Sequence, residues 1–99
     1  MKAGVIVKNI VCFHLEDCPY CHKAIKAFKE LQAENADFAK VPVEWVEETK
    51  EKPSTLKDFN YYYVPTIYVG NEKVYEANPA DDYEAIKSNV RKSLEAALN

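Results

Sequence analysis

Cys18 and Cys21 stand three positions apart, with Pro19 and Tyr20 between them, where an apolar run gives way to a helical pattern. Two thiols at that spacing can be joined as one disulfide and separated again, which is the chemistry of a dithiol redox site. A strand-to-helix junction supplies what that chemistry needs. The first sulfur lies at the helix start, where backbone N–H groups without helical partners and the helix dipole favour a thiolate. The second lies one turn inside, close enough to attack a mixed disulfide formed on the first. Pro19 suits the first helical turn, because its missing N–H would have no partner there anyway. The same pair could form half of a structural zinc site, with Cys12, His14 and His22 as the remaining ligand candidates. Cys12 and His14 sit on an apolar strand run, which is a poor setting for a zinc knuckle.

Apolar spacing outlines the elements that must hold these thiols. Ile10 to Leu15 is mostly apolar on both parities, as in a central strand buried on both faces. From Pro19 to about Glu34, Cys21, Ala24, Ile25, Phe28 and Leu31 recur at helical spacing. Val41 to Val46 reads as a second strand, Glu47 to Lys52 as a charged loop, and Pro53 to Phe59 as a short helix burying Leu56 and Phe59. Pro65 to Val69 reads as a third strand, which the turn Gly70-Asn71 joins to a fourth, Glu72 to Glu76. The last helix is expected to take Asn78 as cap and Pro79 as first residue, with Asp81 and Asp82 in its first turn. Its buried stripe would be Tyr83, Ile86, Val90, Leu94 and Ala97 or Leu98. The order β-α-β-α-β-β-α describes an α/β domain. A crossover helix is expected to join parallel strands, placing the first three strands in one sheet to which the hairpin adds an antiparallel strand.

Composition narrows the function classes. The 99 residues, 47% hydrophobic, suffice for a single domain over residues 1–99 with its own core. A formal charge of −3 argues against non-specific nucleic-acid binding. No apolar run approaches the roughly 20 residues needed to span a bilayer. The opening stretch, Met1 to Lys8, holds an apolar run too short for a signal peptide, and no small-residue cleavage pattern precedes Ile10. A soluble, cytoplasmic, monomeric protein is therefore expected. The odd count of three cysteines fits one working pair plus a buried Cys12 better than a secreted disulfide framework.

Cys18-Pro19-Tyr20-Cys21 after the first strand, taken with Val64-Pro65-Thr66 ahead of the third, resembles the thioredoxin superfamily and within it glutaredoxin. The resemblance covers nearly the whole chain. It implies a thioredoxin-like, glutaredoxin-type fold with a central mixed four-stranded sheet flanked by helices. By the same resemblance Cys18 is the nucleophile, Cys21 the resolving thiol, and Pro65 a cis-proline facing them. Val64 would pair through its backbone with the bound substrate, and Pro19 and Tyr20 would border the substrate groove. Asp81 and Asp82 fall near the place where glutaredoxins use acidic residues to hold the glutathione amine.

This chain also departs from that pattern. Leu15 stands where glutaredoxins usually carry a lysine, and Glu76-Ala77-Asn78 replaces a glycine pair. Glu16 and Asp17 put two negative charges beside the dithiol. Cys12 stands where the thioredoxin branch has a buried acid. Poor affinity for glutathione is the expectation. The implied activity is reduction of disulfides in proteins or small molecules, with no bound cofactor and with recharging by a thiol donor or a reductase, glutathione being one possible reductant. Two alternatives remain open: a glutathione-dependent glutaredoxin, and an iron–sulfur cluster carrier that holds the cluster between two protomers with Cys18 and glutathione. His14 reads as a satisfied structural histidine and His22 as solvent-facing. Of Tyr61, Tyr62 and Tyr63, at least one ring should pack in the core and another should border the groove.

Overall fold

The first strand, β1 (Ile10–His14), is the hub of the sheet. Its alternate side chains enter two separate apolar clusters, Ile10 and Cys12 on one face and Val11 and Phe13 on the other. The computed structural model describes residues 7–50, 59 and 61–98. On one side β1 pairs in parallel with β2 (Val43–Glu47), with Cys12 opposite Trp45. On the other it pairs antiparallel with β3 (Thr66–Val69), with Phe13 opposite Thr66. A hairpin then adds β4 (Glu72–Glu76), giving the order β2-β1-β3-β4. Gly70 makes the turn with φ +60°, a left-handed conformation that side chains disfavour.

The α/β class and the mixed four-stranded sheet are as the sequence implies. One direction is not. The third strand runs antiparallel to the first, whereas a parallel arrangement was expected of the first three strands. The chain therefore enters β3 at the end of the sheet where β1 finishes. That reversal places Val64 and Pro65 beside the segment leaving β1, and a parallel β3 would have carried them to the opposite end. Complete burial of all four β3 residues fits either direction, so the burial pattern could not decide it.

Helix α1 (Pro19–Glu34) has the bounds the apolar spacing predicts, and it buries Cys21, Ala24, Ala27, Phe28 and Leu31 against the sheet. A short helix, α2 (Ala36–Ala39), follows where none was expected; Asn35 caps it by accepting the Asp37 amide at 2.8 Å, and Phe38 plugs the core. Glu47 ends β2 rather than opening a loop, and Glu48–Lys50 forms a single 3-10 turn. The helix expected over Pro53 to Phe59 lies outside the described residues, apart from Phe59 itself.

The last helix, α3 (Tyr83–Ala97), starts later than expected and takes Asp82, not Asn78, as its cap. Asp82 Oδ1 accepts the Ala85 amide at 2.9 Å. Asn78 instead accepts the Ala80 amide at 2.9 Å and closes a turn of its own. Asp81 is pulled toward β4, accepting the Tyr75 hydroxyl at 2.6 Å and the Asn78 amide at 3.2 Å. With both groups committed to the turn, helical backbone begins only beyond Asp82. Ile86, Val90, Leu94 and Ala97 then form the buried stripe, and Tyr83 is half-buried. Glu30 ties the two long helices together by accepting the Tyr83 hydroxyl and pairing with Lys87 Nζ at 3.1 Å.

Two clusters fill the two faces of the sheet. Beneath α1 and α3 lie Ile10, Cys12, Ile67, Val69 and Tyr75. On the opposite face Phe13 is wholly buried, its ring centroid 4.7 Å from Phe59, 4.9 Å from Tyr61 and 6.0 Å from Tyr68. Trp45, on the outer strand, covers Phe28 and His14 with edge-on rings. His14 is not satisfied as expected: its Nδ1 is buried without a hydrogen-bond partner among the described residues. Among those residues no helix is long and apolar enough to cross a membrane.

Candidate active site

Three strand ends meet at one edge of the domain: the exit of β1, the entry of β3 and the exit of β4. The turn out of β1 closes through Cys18 N–H donating to the Leu15 carbonyl at 3.2 Å and His22 Nε2 donating to the Glu16 carbonyl at 2.5 Å. His22 is exposed as expected, yet it braces the turn. Cys18 then caps α1 with extended backbone (φ −88°, ψ 118°), and Pro19 takes the first helical position. The Cys18 sulfur accepts the Cys21 amide at 3.3 Å, one of the helix-start donors with no helical partner. The dithiol segment is thus held by the geometry that the Pro19 signal predicts.

The two sulfurs sit in different surroundings. Cys18 is partly exposed, whereas Cys21 and Cys12 are fully buried, and all three are free thiols. Burial pushes the Cys21 thiol up to about 12. The Leu15 amide, donating to Cys21 Sγ at 3.5 Å, works the other way, while the hydrogen bond to Cys18 and the charges of Cys18 and Glu48 add to the rise. Burial raises Cys12 further still, with a smaller contribution from Cys21. A raised thiol pKa means the proton is kept, so in the free dithiol neither buried sulfur competes with Cys18 for an external electrophile. At pH 8, iodoacetamide should alkylate Cys18 in the folded, reduced protein and spare Cys12 and Cys21 until denaturant is added. Peptide mass mapping against time measures this, and equal labelling of Cys21 and Cys18 would contradict the asymmetry.

Across from the dithiol, the Val64–Pro65 peptide bond is cis. The Cys18 thiol approaches the Val64 carbonyl at 3.8 Å, so the nucleophile candidate and the segment ahead of β3 are in contact. Val64 is half-buried and Pro65 buried. The backbone of Pro65 is paired onward, its carbonyl accepting the Ala77 amide at 3.0 Å. Tyr20 bridges the groove on the other side, its hydroxyl donating to the Pro79 carbonyl at 2.6 Å with the Lys23 ammonium 5.5 Å from its ring centre.

An open cavity of about 490 Å³ adjoins this contact, lined by Tyr62, Tyr63, Glu76, Ala77, Asn78 and Pro79. Of the three consecutive tyrosines, Tyr61 packs on Phe13 and donates its hydroxyl to Glu48, while Tyr62 and Tyr63 are exposed on the cavity wall. Both outcomes match the division expected of the triplet. Asp81 and Asp82 lie close by in the chain, but Asp81 holds the turn after β4 and Asp82 caps α3. The structure brings together Cys18, Cys21, Pro19, Tyr20, Val64 and Pro65, and gives the two aspartates structural work. The sequence reading missed what Glu76 does. It stands where the resemblance puts a glycine, and its carboxylate reaches back to the amides of Tyr62 and Tyr63. No local pattern announces a bond between residues 13 and 14 positions apart.

Among the described residues no group of three or more His, Cys, Asp and Glu side chains is placed to hold a metal ion. No curated protein matches the chain. A family model described as Glutaredoxin matches residues 10–74, a stretch that takes in β1, both cysteines of the dithiol, the Val64–Pro65 bond and most of the hairpin.

Proposed function

The chain belongs to the glutaredoxin family, within the thioredoxin superfamily, and from that premise we propose that it is a thiol–disulfide oxidoreductase that reduces polypeptide disulfides through Cys18 and Cys21. The observation that carries this reading is the juxtaposition of a partly exposed Cys18 with the Val64 carbonyl, backed by a buried, proton-bearing Cys21.

In the first step the Cys18 thiolate attacks one sulfur of the substrate disulfide. The Cys18–substrate S–S bond forms, the substrate's own S–S bond breaks, and the released sulfur takes a proton from solvent. The helix-start amide of Cys21, already directed at Cys18 Sγ, steadies the sulfur before attack. In the second step Cys21 attacks Cys18 Sγ as its proton passes to the departing substrate sulfur, so that the Cys18–Cys21 bond forms, the Cys18–substrate bond breaks and the substrate leaves as its second thiol. Two electrons have passed from the protein dithiol to the substrate. Another thiol donor then restores Cys18 and Cys21. Placing the resolving sulfur one helical turn from the nucleophile makes the second step intramolecular, which is why it outcompetes escape of the mixed disulfide.

The test is a comparison of donors on one protein disulfide such as that of insulin. Reduction is expected with at least one of two recharging systems, glutathione with glutathione reductase or a thioredoxin reductase with NADPH. Failure with both, under conditions in which dithiothreitol reduces Cys18–Cys21, would overturn the assignment.

A further inference from the structure

The Glu76 carboxylate is bound as an incoming anionic ligand would be. One oxygen, Oε2, accepts the backbone amides of Tyr62 at 2.6 Å and Tyr63 at 2.9 Å; the other, Oε1, accepts Lys73 Nζ at 2.8 Å. Two successive N–H groups converging on one oxygen form a small anion notch, and a nearby ammonium completes it. The Lys73 hydrogen bond is the largest influence holding this carboxyl below its usual range, with the Tyr62 amide next. The notch opens on the cavity that Tyr63 and Pro79 line. Tyr63 is the residue before Val64, whose carbonyl meets Cys18, and Pro79 on the opposite wall carries the Tyr20 hydroxyl. A substrate that reaches Cys18 between Val64 and Tyr20 would extend toward the cavity whose wall Tyr63, Pro79 and Glu76 share.

We propose that Glu76 fills, from within the chain, a carboxylate-binding notch formed by the Tyr62 and Tyr63 amides and Lys73, and thereby steers the site away from disulfides that carry a carboxylate next to their sulfur. The substrates left are cystines inside polypeptides, whose flanking groups are neutral amides. The substrate half of this proposal rests on the oxidoreductase reading; the notch does not. An external carboxylate entering the wild-type cavity finds the donors taken and meets a fixed negative charge. Glu76 also joins the end of β4 to the segment ahead of β3, so it is a positioning residue for Val64 as well as a filter.

Two experiments separate these elements. In ¹⁵N-labelled Glu76→Ala, sodium acetate should move the Tyr62 and Tyr63 amide resonances saturably, against a sodium chloride control of equal ionic strength, while wild type should not respond. No acetate response in the folded variant, or an equal response in wild type, overturns the notch whatever the enzyme's activity. The second experiment uses two peptide disulfides identical except for a carboxylate or a carboxamide beside the reacting cysteine. Wild type should prefer the amide in kcat/KM, by about ten-fold on the scale of a charge-assisted hydrogen bond. Glu76→Gln, which keeps an oxygen in the notch without the charge, should bring the ratio toward one, and Glu76→Ala should invert it. If Glu76→Ala does not fold, Glu76→Gln alone decides, and an unchanged ratio overturns the proposal. Activity on neither peptide in any variant counts against the oxidoreductase reading and leaves the acetate titration to judge the notch.

Discussion

Replacing Cys18 with serine is expected to lower disulfide reduction by at least about a thousand-fold, the scale on which the loss of a nucleophile is felt. Cys21→Ser should behave differently, accumulating a mixed disulfide between Cys18 and the substrate while turnover on a protein disulfide is lost. The contrast follows from position. Cys18 is the partly exposed sulfur that meets Val64, and Cys21 is buried one turn behind it, where only an adduct already on Cys18 is within reach. Intact-protein mass spectrometry after quenching in acid detects the trapped adduct, and a coupled reductase assay follows turnover. Full turnover by Cys21→Ser on a protein disulfide would exclude the dithiol mechanism. Trapping by Cys18→Ser in place of Cys21→Ser would reverse the two roles.

Phe13→Ala is expected to cost about 3–5 kcal/mol of folding stability, the range for deleting a buried aromatic ring from a packed core. Domains of this kind hold only about 5–15 kcal/mol in total, so the variant should be close to unfolding. Phe13 is fully buried and touches the rings of Phe59, Tyr61 and Tyr68, which together form the apolar layer on the sheet face away from the two long helices. Val64 packs on the same layer, so the loss should also loosen the segment facing Cys18. Urea unfolding followed by circular dichroism gives the stability change. A loss below about 1 kcal/mol would mean that the cavity collapses around the missing ring or that this layer contributes little to folding.

Local signals were the reliable ones in this sequence. Pro19 and the apolar spacing of Cys21, Ala24, Ile25, Phe28 and Leu31 define both ends of α1, because capping and one-sided burial are properties of neighbouring residues, although Ile25 is only half-buried and Ala27 takes the buried place beside Phe28. The Gly70-Asn71 turn between alternating residues likewise locates β4. The misses depend on partners far along the chain. Asn78-Pro79 has the composition of a helix start, but Tyr75 takes Asp81 for a turn and the start moves to Asp82. The direction of β3 depends on where the chain re-enters the sheet, and its fully buried residues carry no mark of it. At the site, the dithiol and the Val64-Pro65 pair were legible from motif and context. The Glu76 contacts were not, since hairpin register and the path of residues 61–64 decide which amides that carboxylate reaches.

In the proposed reaction the sulfur of Cys18 is both the reacting atom and the acceptor that caps the start of α1. Helix stability and electron affinity are therefore joined in one thermodynamic cycle. Whatever free energy the cap adds to the dithiol form over the bonded form appears, unchanged in size, as a more positive reduction potential, about 30 mV for every 1.4 kcal/mol. Substitutions in the first turn of α1 that strengthen or weaken this cap would thus act as adjustments of the couple's voltage, even where they touch neither substrate nor sulfur.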